Sequence, residues 1–76
     1  MTNNMHKRVS FKDKVYWLHG PTYGNVYNIS PLNHYSEDGE VLADPFRDIS
    51  FAILEGDKIM QFGHEIGTVS DLIDVI

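Results

Sequence analysis

Basic and aromatic side chains are interleaved near the start of the chain, where they form the grouping most suited to ligand chemistry. Ammonium groups contact phosphates and aromatic rings stack on bases, so this combination is typical of proteins that bind single-stranded nucleic acid. The same rings would also fill the core of a small domain, and the net charge of −5 opposes a polyanion. Nucleic-acid binding is therefore kept as an alternative. The residues that would carry it are Lys12, Lys14, Trp17 and Tyr23.

Tyrosine side chains indicate a different use of this region, which is contact with a protein partner. A tyrosine presents an apolar ring and a polar hydroxyl, and this combination is common at interfaces. On a strand, Tyr16 faces away from Val15 and Trp17, and we expect it to be exposed. An aromatic-polar patch around the loop from Gly20 to Asn25 is the preferred contact surface. Its members are Tyr16, Tyr23, Tyr27 and Tyr35.

Charge is unevenly divided along the chain. Residues 1–36 hold four lysines or arginines against one carboxylate, for a charge of +3, whereas residues 37–76 hold two against ten, for −8. One interpretation is that the two halves neutralise each other across a single sheet. Otherwise the acidic half offers complementarity to a basic partner, or imitates the phosphates of nucleic acid at another protein's binding site. A third alternative is a homo-oligomeric structural protein in which the halves pair between subunits.

Patterns for catalysis and metal binding are weak. The chain has no cysteine, and none of its serines lies in a nucleophile elbow. The loop from Gly20 to Gly24 lacks the Lys-Ser/Thr ending of a phosphate-binding loop. The four histidines do not have the short paired spacings of structural zinc sites. We therefore predict a protein that is not an enzyme and that has no cofactor and no metal.

Strands are the elements predicted to position these residues in the first half. Apolar residues of one parity run from Val9 to Trp17, which is the period of a half-buried strand. The polar residues 12–14 predict a turn that divides this segment into two strands. A further strand ends at Pro31, because proline cannot donate to a sheet. Residues 15–30 are thus predicted to form a hairpin with a loop of about six residues.

The region around residue 50 permits two interpretations. Asp44-Pro45 suits the start of a helix over residues 45–55, with a glycine beyond its end. We favour a strand, a turn and a second strand over residues 49–62. The first strand is β-branched and aromatic, and Gly56-Asp57 suits a two-residue hairpin turn.

Two shorter segments are also interpretable. Val41-Leu42 follows a turn signal and is a candidate short strand. Thr68-Val-Ser-Asp71 is a capping-box variant in which aspartate replaces the usual glutamate. The apolar residues that follow it form either a last short helix or a closing strand.

An internal repeat is the most informative pattern in the sequence. Asp13-Lys14-Val15 is echoed by Asp57-Lys58-Ile59. Each copy is interpreted as a strand, a glycine-bounded loop and a strand, so that two similar hairpins pack together. The glycines that match are Gly20 with Gly63 and Gly24 with Gly67.

These residues carry a resemblance to a known class of domain. Asp13-Lys14-Val15-x-Trp17-x-x-Gly20-Pro21-x-x-Gly24-x-Val26-x-x-Ile29 resembles the first hairpin of SH3-like small barrels of the KOW and Tudor type. The second copy, from Gly56 to Val69, is similar to the same pattern. The resemblance covers about 20 residues per copy. It implies a small barrel that binds protein or nucleic acid and seldom catalyses.

The resulting fold prediction is mainly β: a small antiparallel SH3-like barrel or sheet with at most one or two short helical turns. A flexible lead over residues 1–8 precedes a single domain over residues 9–76. The residues predicted to form the core are Val15, Trp17, Val26, Ile29, Phe51, Ile53, Ile59, Phe62, Val69 and Leu72.

The function predicted from the sequence is non-catalytic binding. We expect a small binding module or inhibitor that docks on a protein partner through the tyrosine patch and the acidic surface. No apolar run approaches the roughly 18 residues of a membrane span, so a cytoplasmic protein without membrane contact is expected. Such an acidic inhibitor would fit an origin in a phage or mobile element.

Overall fold

The computed structural model describes residues 5–42 and 50–75 as one curled antiparallel sheet, a half-barrel with two 3-10 turns. This confirms the prediction of a mainly β, antiparallel fold with at most two short helical turns. The 3-10 turns cover Leu32–His34 and Val69–Asp71. The strands are β1 (Met5–Phe11), β2 (Lys14–Tyr23), β3 (Val26–Ser30), β4 (Ala52–Glu55), β5 (Lys58–Gln61), β6 (His64–Thr68) and β7 (Ile73–Asp74), in the sheet order β6-β5-β4-β3-β2-β1-β7.

A two-residue turn between β1 and β2 decides which residues enter the core. Lys12 and Asp13 both have positive φ, 50° and 66°, which suits the twist of a tight hairpin. This turn places Val9 opposite Tyr16, so odd-numbered residues of β1 share a face with even-numbered residues of β2. The expected exposure of Tyr16 is therefore wrong, because Tyr16 lies on the core face.

The core lies on one face of the sheet and differs in part from the predicted one. The predicted residues Ile29 and Ile59 are buried on this face, whereas Val26 and Trp17 are buried on the opposite face. The tight turn changes the parity of β2 and so accounts for the burial of Tyr16 and Leu18. In all, the structure buries six hydrophobic residues that the prediction omitted. These are Val9, Phe11, Tyr16, Leu18, Ala52 and Leu54.

Two residues predicted to lie in the core are exposed. Phe62 falls in the turn between β5 and β6, and Val69 falls in the second 3-10 turn. A residue in such a turn projects from the end of the sheet and does not face its interior. The other predicted core residues lie at intermediate depth: Val15, Phe51, Ile53 and Leu72.

The predicted hairpin over residues 15–30 is confirmed, with a shorter loop than expected. β2 continues through Gly20 to Tyr23, so the turn consists of Gly24 and Asn25 alone. The register shifts between His19 and Tyr23, which marks an irregularity in the long strand. At the N-terminal end, β1 begins at Met5, so the flexible lead predicted to reach residue 8 is too long. Residues 1–4 lie outside the described residues.

The strand-turn-strand interpretation of residues 49–62 is confirmed for its described part. Ala52–Glu55 and Lys58–Gln61 pair around the predicted Gly56-Asp57 turn. Residues 43–49, which include the start of the alternative helix, lie outside the described residues. Val41 forms an isolated bridge with Tyr35 instead of a longer strand.

The two copies of the sequence repeat have equivalent structures at the hairpin turn that opens each copy, but their matched glycines occupy different structural positions. Asp13 and Asp57 are each the second residue of a two-residue turn, one before β2 and the other before β5. β2 has ten residues whereas β5 has four, so the next turns do not align. Gly24 and Gly63 are the turn residues, whereas Gly20 and Gly67 lie within strands.

The curl of the sheet brings its two ends together. Four strands separate β6 from β1 in the sheet, yet a Cβ atom placed on Gly67 of β6 would lie 3.0 Å from Cε1 of Phe11. The chain leaves β6 through the second 3-10 turn, where Thr68 and Asp71 form the predicted capping box. It then enters β7, which pairs with the far side of β1. No helix in the described part of the chain has the length and apolar character needed to cross a membrane.

Candidate functional site

The four tyrosines predicted to form one patch occupy different environments. Tyr16 is only 6% exposed and stacks on Phe51 in the core, with ring centroids 4.6 Å apart. Tyr27 lies opposite Leu54 and packs against the core. Tyr35 stacks on the ring of a histidine, and only Tyr23 is largely exposed, at 71%. The predicted patch is therefore reduced to Tyr23 with a partly exposed Tyr35 elsewhere.

The residues of the nucleic-acid alternative are also separated. Lys12 and Lys14 are exposed at the β1–β2 turn, whereas Tyr23 lies at the other end of β2. Nine residues of extended strand span about 30 Å. Trp17 is 4% exposed, and its indole N–H donates to the carbonyl oxygens of Leu32 at 2.9 Å and Tyr35 at 3.2 Å. This ring has no free face of the kind that base stacking requires.

The face of the sheet opposite the core, which we call the outer face, carries one continuous row of side chains. His6 lies opposite His19, His19 opposite Asn28, Asn28 opposite Ile53, and Ile53 opposite Met60. Directly opposite residues share a face, so this row crosses five strands. It begins with imidazoles on β1 and β2 and ends with apolar side chains on β4 and β5.

The first half of this row is an aromatic and imidazole cluster. The ring of His6 stacks on Trp17 with centroids 4.2 Å apart, and the ring of His19 stacks on Tyr35 at 4.3 Å. Arg8 places its guanidinium 4.7 Å from the centre of the Trp17 ring. Residues 31–42, which we call the cover segment, supply Tyr35 and the carbonyl groups that bind this cluster.

Hydrogen bonds join the two histidines to each other and to the cover segment. The Nδ1 atoms of His6 and His19 are 2.9 Å apart, and Nε2 of His6 is 2.8 Å from the carbonyl oxygen of Ser36. Burial, together with the charge that His6 can carry, lowers the pKa of His19 below its usual value of 6.5. Among the described residues, no group of three or more potential ligands surrounds the pair, so it lacks the donors of a usual metal site.

The second half of the row borders an open apolar cleft of about 420 Å³. Ile53 and Met60 lie side by side there on the outer face, and Phe62 is 79% exposed at its edge. Phe62 has a φ of 50°, a left-handed conformation that is unusual for a bulky residue. The remaining lining residues are Ser50, Phe51, Ala52, Glu55, Gln61 and Gly63.

Tyr23 belongs to the same side of the sheet as this cleft. It lies opposite Val26, which lies opposite Glu55, and Glu55 lines the cleft. Two strand spacings amount to about 10 Å. The amide N–H of Gly56 also donates to the carbonyl oxygen of Asn25 at 3.3 Å, which holds the two turns together. Tyr23, Glu55 and the cleft therefore form one candidate contact surface.

Comparison of the chain with protein-family models, with curated proteins and with solved structures found no match.

One part of this site was readable from the sequence and was missed. The turn at residues 12 and 13 pairs residues whose numbers add to 25, and this register places His6 opposite His19. Phe62, predicted to lie in the core, is exposed because it falls in the turn between β5 and β6. Gly63 directly after it is the signal of a turn, where a side chain is exposed.

Proposed function

We propose that this protein is a non-catalytic binding module that docks on a protein partner through the outer face of β4 and β5. The occupant of the cleft is an apolar side chain carried on a basic segment of that partner. The observation that carries this proposal is Phe62, a large apolar side chain that is exposed and held in a left-handed backbone conformation.

Phe62 adds backbone strain to the isolated chain and contributes little buried surface to its stability. A left-handed conformation costs a residue with a Cβ atom roughly 1–2 kcal/mol, and an exposed ring contributes little burial to offset it. Backbone strain that folding does not require is common at functional positions. A ring that becomes covered on binding would supply the missing contact.

The cleft and its surroundings define what this partner presents. A volume of about 420 Å³ is within the usual range for a binding pocket, and here it accommodates one or two side chains. Glu55 lines the cleft, and Glu65 lies opposite Met60 on the next strand. These carboxylates, with the net charge of −5, favour a segment that bears lysine or arginine beside its apolar residue.

The fold supports the same class of function. Consecutive strands pair in order and the last strand returns to pair with the first, as expected for a small barrel. We propose that this half-barrel is of the SH3-like type, whose members usually bind protein or nucleic acid. The nucleic-acid alternative has less support, since Trp17 is buried and Tyr23 lies far from Lys12 and Lys14.

A displayed random-peptide library tests the proposal directly, because it presents many candidate partner segments at once. The wild-type chain should enrich peptides that combine lysine or arginine with an aromatic or aliphatic residue. Phe62→Asn should weaken binding of an enriched peptide by about 2 kcal/mol, or roughly thirtyfold, because the contact area of one phenyl ring is lost.

Ile73→Asn is the matched control, because Ile73 is 66% exposed on β7, away from the cleft. This variant should bind the same peptide as wild type does. Enrichment of acidic or uncharged peptides would contradict the proposed charge of the partner. Equal binding by the Phe62 variant would contradict the proposed surface, and binding of a labelled single strand at low salt would favour the nucleic-acid alternative.

A further inference from the structure

The cover segment contacts the outer face through hydrogen bonds and ring stacking with side chains of β1, β2 and β3. His6 binds the carbonyl group of Ser36, and Trp17 binds that of Tyr35. The amide of Asn28 donates to the Tyr35 hydroxyl at 3.3 Å. An exposed ion pair joins Arg8 to Glu37. The histidine pair lies at the centre of this attachment.

Hydrogen-bond chemistry assigns the hydrogens of the neutral pair. A carbonyl oxygen can only accept, so Nε2 of His6 must carry a hydrogen that it donates to Ser36. A neutral imidazole has one N–H, so Nδ1 of His6 accepts. The hydrogen between the two rings therefore belongs to Nδ1 of His19.

The pair can accept one proton without losing any of these bonds. The proton enters at Nε2 of His19, which has no hydrogen-bond partner among the described residues. The hydrogen between the two Nδ1 atoms can then reside on either ring. A second proton gives each Nδ1 its own hydrogen, and two donors cannot face each other at 2.9 Å.

We propose that His6 and His19 form a proton-sensitive latch that holds the cover segment on the sheet and releases it when both rings are charged. Release separates Tyr35 from His19 and removes the backbone acceptors from above Trp17. The groups facing the pair add no counter-charge that would prevent this. Tyr35 contacts both rings, Arg8 adds a positive charge over Trp17, and Glu37 is already paired with Arg8.

The lowered pKa of His19 agrees with this arrangement. Its causes are burial first, which disfavours any charge on His19, and the charge of His6 second, which disfavours a charge on both rings together. The latch therefore stays closed in neutral solution and opens on acidification below the ordinary range of histidine.

The single tryptophan reports on the latch directly, because Trp17 lies under the cover segment. Acrylamide quenching of its fluorescence should be weak at about pH 8 and should rise severalfold in a step on the way to about pH 4.5. Far-UV circular dichroism should stay constant through that step, because the sheet itself remains folded. Long-range ¹H–¹⁵N spectra at neutral pH should show hydrogens on Nε2 of His6 and Nδ1 of His19.

His19→Gln tests the mechanism, since a glutamine amide can donate to Nδ1 of His6 but cannot become charged. The step in quenching should disappear in this variant and persist in His64→Gln, which changes an exposed histidine on β6. Quenching of the wild type that is independent of pH, or a step that survives in His19→Gln, would overturn the latch. Loss of far-UV signal together with the step would also overturn it, because release would then be global unfolding. If His19→Gln does not fold, the ¹H–¹⁵N spectra of the wild type test the proposal instead. Hydrogens on Nδ1 of His6 and Nε2 of His19 at neutral pH would then overturn it.

Discussion

Gly67→Ala tests the curl of the sheet, because its cost depends on contact between two distant strands. A methyl group at this position would lie 3.0 Å and 3.2 Å from Cε1 and Cζ of Phe11, and 2.9 Å from Oδ2 of Asp71. Phe11 is 2% exposed and cannot move aside, whereas the exposed side chain of Asp71 can. The two contacts therefore have separate costs.

The magnitude follows from these two contacts. Crowding a packed ring costs about 1–3 kcal/mol. Displacing Asp71 removes the bond that it accepts from the Thr68 amide at 2.9 Å, and loss of such a cap costs about 1 kcal/mol. We therefore expect the free energy of unfolding to fall by about 2–4 kcal/mol. A loss of this size is a large fraction of the roughly 4–11 kcal/mol available to a chain of this length.

Urea denaturation followed by Trp17 fluorescence measures this loss, and a double-mutant cycle assigns its cause. Phe11→Leu removes the two ring atoms that the methyl group meets. In that background Gly67→Ala should cost only the cap, or about 1 kcal/mol. If Gly67→Ala is neutral, or costs the same in both backgrounds, β6 does not approach β1 and the half-barrel is wrong.

Three further predictions concern a turn, the exposed ring and the histidine. Replacing Lys12-Asp13 by Asn-Gly should raise the free energy of unfolding by about 1 kcal/mol in urea denaturation, because both positions have positive φ; destabilisation would contradict the tight turn. Phe62→Asn should raise the free energy of unfolding of the isolated chain by about 1 kcal/mol in urea denaturation, because asparagine tolerates a positive φ better. A fall of about 3 kcal/mol or more would instead indicate that Phe62 is buried in the core. The pKa of His19 is lower in the folded chain, so on acidification the unfolded chain takes up a proton at His19 before the folded chain does. The free energy of unfolding should therefore fall as the pH drops below about 6.5, and it should level off below the pKa of His19 in the folded chain. His19→Gln should flatten that part of the pH profile of urea midpoints, and an unchanged slope would contradict the shift.

The fold class was predictable because turns and alternation are local signals. Gly56-Asp57 and the break at residues 12–14 marked hairpins, and the structure has both. The error concerned parity, since the prediction treated Val9 and Trp17 as residues of one face. A two-residue turn exchanges the parity of the following strand, so Tyr16 and Leu18 enter the core instead. The length of the turn therefore sets the register, and the register decides which face each residue of β2 lies on.

The candidate site was less predictable, because its parts are distant in sequence. The contact of His6 with Ser36 spans thirty residues, and no local pattern specifies where the cover segment lies. Tyr23 is placed near the cleft by the pairing of β3 with β4, together with the bond between Gly56 and Asn25 that joins the two hairpin turns. Composition indicated a surface rich in aromatic residues, but only the packing of these turns decides which rings are exposed.

The division of charge along the sequence corresponds to a division of charge over the sheet, which bears on the partner that we propose. The two ion pairs found among the described residues join Lys7 to Asp74 and Arg8 to Glu37. Each pairs a basic residue of β1 with a carboxylate of the acidic half. All four side chains are well exposed, so these pairs add little stability, at most about 1 kcal/mol each. They involve two of the four basic side chains in the first 36 residues, and both of these lie on β1. Glu55 and Glu65 lie several strands away from β1, beside the apolar cleft. Part of the positive charge is thus paired within the chain, and negative charge lies beside the cleft to which we propose that a partner binds.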